Sequence, residues 1–110
     1  VVDYNLRHRE SDVAHSTASA LQAWDRIEHW LLDVYQSDMH EKLIVLNETS
    51  VEQTYVNEVN STLGRELVFV SSHAIHHFSL LAIITSLQGQ TTHALFGVAP
   101  STATYQRAQA

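Results

Sequence analysis

Apolar and polar positions alternate with different periods in different parts of the chain. From 17 to 38, Leu21, Trp24, Ile27, Leu31, Val34 and Tyr35 advance in steps of three and four, the mark of one apolar helix face. Gln22, Asp25, Arg26, Glu28 and Asp33 occupy the other side, and Ser16 and Thr17 offer caps for the start. The period changes between 41 and 60. A short apolar run, Leu43 to Leu46, is followed by the turn-like cluster Asn47 to Ser50 and then by Thr54, Tyr55 and Val56, which favour strands. This predicts a β-hairpin inserted between helices, around 42–59. From 62 to 88 the helical period returns in Leu63, Leu67, Val70, Phe78, Leu81 and Ile84. Asn60, Ser61 and Thr62 can cap this helix, Glu66 sits where the helix dipole favours an anion, and Gly89 stands just past its end.

The flanks are less regular. Residues 1–16 are polar, with Arg7, Arg9, Glu10 and Asp12 close together, and predict an extended arm whose Tyr4, Arg7 and Arg9 pack onto the body. In the tail, Leu95, Phe96 and Val98 are apolar enough to dock, and Pro100 and Ser101 can open a last short helix through Gln106. Two long helices with broad apolar faces cannot cover one another completely. The expected fold is therefore mainly all-α, a four-helix bundle completed by further helices or by a dimer partner, with the hairpin as an insertion.

Composition agrees with helix. The 110 residues suffice for a single domain, 1–110, and include only three Gly and one Pro. Hydrophobic residues make up 45% and charged residues 16%, a globular balance. The net charge of −6 opposes nucleic acid and anionic lipid as partners. No unbroken apolar run approaches the roughly 18 residues of a membrane span, and Val1-Val2-Asp3-Tyr4 has no leader pattern. A cytoplasmic protein is expected. With no cysteine, disulfides and thiolate chemistry are excluded, and any metal ligand must be His, Asp or Glu.

Eight histidines are present, and they concentrate in Ser71-Ser72-His73-Ala74-Ile75-His76-His77-Phe78. His73 and His77, four apart on a helix, share a face and can converge on one divalent ion. His76 points about 100° away. The zincin proteases use the same spacing with Glu after the first His, and Ala74 stands there instead. Because Glu66, Val70, Leu81 and Ile84 share the stripe, the pair is expected to face the bundle interior. Glu66, roughly 10 Å along the axis from His73, is too far to ligate directly and is expected as a supporting or ion-pairing group.

Three runs carry a resemblance to a known family: Ser61-Thr-Leu-Gly-Arg-Glu-Leu67, Ser72-His-Ala-Ile-His-His77 and Phe96-Gly-Val-Ala-Pro-Ser-Thr102. With the opening Asp3-Tyr-Asn-Leu-Arg-His-Arg9, they resemble the DinB-like (damage-inducible protein) superfamily. The resemblance implies a four-helix bundle holding a divalent metal, Zn, Ni or Mn, on three histidines. Two of these map onto His73 and His77. The third lies on an earlier helix, upstream of Val1, so the domain is expected to be incomplete on its N-terminal side. His8, His15, His29, His40 and His93 remain as substitutes, none in a family position. The resemblance also implies a metal-dependent thiol transferase or hydrolase, with Glu66, Tyr4, Arg7 and His76 around a small-molecule pocket. The alternative is a non-catalytic helical oligomer, a homodimer or binding module with a degenerate metal site.

Overall fold

A computed structural model describes residues 1–7, 9 and 11–110. The element order is β1 (Val2–Asp3), a short 3-10 turn (Asp12–Ala14), α1 (Thr17–Val34), β2 (Lys42–Glu48), β3 (Val56–Thr62), α2 (Leu63–Leu87) and α3 (Pro100–Gln109). The chain divides into two compact units, Val1–Gly64 and Arg65–Ala110.

The fold is mixed α/β, which corrects the expected four-helix bundle. Two seven-residue strands and an N-terminal strand form a three-stranded sheet in the order β1-β2-β3. Neither unit contains two long helices to pair side by side: α1 lies in the first, and α2 is joined in the second only by the ten-residue α3. The segment expected as a bundle insertion is instead the body of the first unit.

Backbone ladders hold that sheet together. β2 and β3 pair antiparallel in an unbroken register from Lys42 opposite Thr62 to Glu48 opposite Val56. β1 pairs in parallel, Val2 opposite Val45 and Asp3 opposite Leu46. Val45 is thus flanked by Val2 and Val59, and it alone among the described apolar residues is buried. The N-terminal segment is pinned to β2 by local polar chemistry. The Asp3 carboxylate accepts from the Asn5 amide N–H and side chain, both at 2.9 Å, and Asn5 Oδ1 accepts from the Glu48 N–H at 2.9 Å. Strand β3 keeps its outer edge unpaired within the sheet. α1 starts where Ser16 Oγ accepts from the Ser19 N–H at 3.2 Å. Its apolar residues, among them Trp24, Ile27 and Trp30, remain exposed.

In the second unit, α2 ends in a Schellman arrangement. Gly89, at φ +75°, donates its N–H to Ser86 O at 3.0 Å, and Gln90 donates to Thr85 O at 3.1 Å. The chain then returns across α2. Phe96 stacks near Phe78 with ring centres 5.2 Å apart, and Gly97 lies so close that an added Cβ would stand 2.5 Å from the backbone N of Ser79. Only glycine fits there, both for space and for its φ of +73°. By length and composition α2 is apolar enough to cross a membrane, with 25 residues and a mean hydropathy of 1.7 in its most apolar stretch. Counting unbroken apolar runs misses this, because serines and histidines interrupt the pattern.

The two left-handed glycines separate strain from contact. Gly89 has open space around its missing Cβ, so Gly89→Ala is expected to cost only the left-handed backbone penalty, about 1 kcal/mol. Gly97→Ala adds overlap with the α2 backbone, and a loss of about 2 kcal/mol or more is expected in denaturant unfolding. Equal losses for the two variants would show that the crossing contact contributes nothing.

Candidate functional site

The helical repeat of α2 sets the geometry of the histidine cluster. With one turn between them, His73 and His77 bring their Nε2 atoms to 3.0 Å, ring centres 4.6 Å apart and nearly edge-on. At that distance the two Nε2 atoms lie within hydrogen-bond reach of one another. Phe69 stacks on the N-terminal side of His73, with centroids 6.0 Å apart. Both histidines are exposed, as are Val70, Leu81 and Ile84 on the same stripe. This corrects the expectation that the pair faces a bundle interior: there is no bundle for it to face.

Glu66 is the buried polar residue of α2, 7% exposed. Its Oε1 lies 3.3 Å from Nη1 of Arg65, whose guanidinium also sits 5.4 Å over the Phe69 ring. A carboxylate in the first turn complements the helix dipole. Its neighbour on the chain partners it here. Tyr4 and Arg7 belong to the first unit, beside β2, where Tyr4 donates its N–H to Leu46 O at 3.0 Å.

His76 takes a different direction. Its ring centre is 5.6 Å from that of His77, yet it lines a groove of about 890 Å³ shared with Ser72, Ile75, Val98 and Thr102. About 180° of helix separates the middle of this groove from the His73/His77 stripe. Sequence reasoning missed the groove. Its signal, serines in helical register with His76, is weak because Ser in a helix is ordinarily read as solvent-facing.

Among the described residues, no group of three or more His, Asp or Glu side chains converges on a common point. The described residues thus bring His73 and His77 together with no third such side chain beside them. Of the substitutes, His29 and His93 make local bonds through the ring, and His40 and His15 through the backbone. His29 Nδ1 lies 2.8 Å from Asp25 O, His93 Nδ1 accepts from the Leu95 N–H at 3.1 Å, and the His40 N–H donates to Asp38 Oδ1 at 2.9 Å. His15 donates its N–H to Asp12 O within the 3-10 turn, and His8 lies outside the described residues.

Comparison with known proteins does not support the DinB-like resemblance either. No family model matches the chain, and no solved structure matches it. Among curated proteins the chain is similar to FK506-binding protein 5 of Rhizopus delemar, with 26% identity over 102 residues. The match covers 93% of this chain and 26% of that protein, so the chain spans about a quarter of the length of the relative it matches.

His29 supplies a pH test of the local bonding. The Asp25 carbonyl accepting from its ring, and then the Asp25 charge, raise its pKa above 6.5. A raised folded-state value means that this contribution to α1 is fully present below pH 6.5 and is lost as pH rises through the folded value. NMR titration of the His29 ring should show a midpoint above 6.5 that falls when Asp25→Asn removes the charge, while a midpoint at or below 6.5 would contradict the geometry.

Proposed function

We propose that this chain is a non-catalytic binding module that assembles with a second copy through the apolar face of α2, in the cytoplasm. One observation carries this: none of the most apolar stretch of α2 is buried within the chain. Phe69, Val70, Leu80, Leu81, Ile84 and Leu87 all stand exposed on one side of a 25-residue helix. Each such side chain stabilises by about 1.5–3 kcal/mol when fully buried. Several together offset the roughly 4–15 kcal/mol lost in association. A protein surface suits this face better than lipid, since His73, His76 and His77 stand midway along α2, where hydrocarbon would leave their ring nitrogens unsatisfied. A two-fold pair is the commonest way for one face to cover itself.

A second reading is favoured by the Nε2 separation of 3.0 Å between His73 and His77. With metal–nitrogen bonds of about 2.0–2.1 Å, nitrogens at this spacing subtend about 95° at a shared ion. That angle suits adjacent positions of a tetragonal or octahedral ion such as Ni²⁺ better than the tetrahedral angle Zn²⁺ prefers. Such a site is a two-nitrogen clamp with open positions, distinct from the three-histidine centre and weaker than it.

Sedimentation equilibrium at micromolar concentration should give twice the chain mass of 12.4 kDa, and Ile84→Lys should shift the population to monomer. A 12.4 kDa monomer with a cooperative melt would sink the assembly reading. For the clamp, calorimetric titration with Ni²⁺ should show one weak site per chain that disappears in both His73→Ala and His77→Ala. Heat that persists in either variant assigns the metal elsewhere.

A further inference from the structure

We propose that the groove of the second unit, on the side of α2 away from His73 and His77, binds an uncharged, oxygen-bearing small molecule with an apolar body. The groove runs from Leu67 to Ser79 along α2 and is closed by Gly97 to Thr102 and Gln106. Twelve helical steps make it about 18 Å long. Its volume of about 890 Å³ falls within the range of small-molecule sites.

The lining sets the chemistry of the occupant. Leu67, Val68, Ile75 and Val98 form an apolar floor, and hydroxyls of Ser72 and Thr102 stand among the polar groups that face it. Among the described residues no Asp, Glu, Lys or Arg lines the groove, and the chain carries a net charge of −6. An anion finds no cationic side chain there and meets an unfavourable overall field. A cation finds no carboxylate. The available groups are hydroxyls, the His76 imidazole and the Gln106 amide, which bond neutral carbonyl or hydroxyl oxygens. The ligand class that follows is a neutral molecule with an apolar body and oxygens at its edge. Gly97, whose lack of a side chain lets the crossing segment lie against Ser79, lines one wall.

Testosterone, neutral with one hydroxyl and one ketone, is a suitable probe, with testosterone sulfate as its anionic counterpart. In a titration of the ¹⁵N-labelled protein, testosterone should produce saturable shifts at the amides of Ser72, Ile75, Val98 and Thr102. Ser72→Trp and Thr102→Trp, each filling the groove from a different wall, should weaken binding at least tenfold with helix content unchanged in circular dichroism. The sulfate ester should bind at least tenfold more weakly than the parent. The proposal is overturned if the shifts do not saturate or fall outside the groove. Unaltered affinity in both well-folded tryptophan variants overturns it as well, as does a sulfate ester that binds as tightly as testosterone.

Discussion

The structure is governed by how little apolar surface it removes from water within itself. In the first unit a single side chain, Val45, is buried, and it is buried because β2 is the middle strand, with Val2 on one side and Val59 on the other. Hydrogen bonds do much of the rest among the described residues: the β2–β3 ladder, the Asp3–Asn5–Glu48 links and the Ser16 cap. Net hydrogen bonds contribute only about 0.5–1.5 kcal/mol each, so a chain organised this way needs its exposed faces covered to be robust. The assembly proposed for α2 follows from that shortage more than from any single contact.

The second unit solves a different problem with different means. A Schellman end at Gly89 reverses the chain, Phe96 meets Phe78, and Gly97 brings backbone against backbone at Ser79. This crossing replaces side-chain packing with close approach, and the groove beside α2 is its by-product. One helix thereby acquires two unlike sides, one carrying a histidine pair amid apolar residues, the other carrying hydroxyls over an apolar floor.

Local structure was legible in the sequence where local rules decide it. The three- and four-residue steps from Leu21 to Val34 and from Leu63 to Ile84 locate α1 and α2, Ser16 and Gly89 mark a start and an end, and the four-residue spacing of His73 and His77 brings their rings together. What was not legible depends on partners distant in sequence. Val2–Asp3 is too short to signal a strand, and it becomes one only by lying beside Val45 and Leu46. A bundle was expected because an apolar helix face implies a helical neighbour. The pattern records that a face is apolar and is silent on what covers it. The direction of His73 and His77 was misjudged for the same reason, and the DinB-like resemblance, carried by short runs, reinforced both errors.

The close approach of the His73 and His77 rings has a consequence for whatever covers that face. The pair sets polar ring nitrogens on an otherwise apolar, exposed stripe. A greasy surface laid over them would strand two nitrogens, at about 1–3 kcal/mol each. A surface offering matched hydroxyls, amides or carboxylates would not. The histidine pair therefore adds little to the strength of an association and a good deal to its selectivity, acting as a lock that rejects indiscriminate hydrophobic contacts.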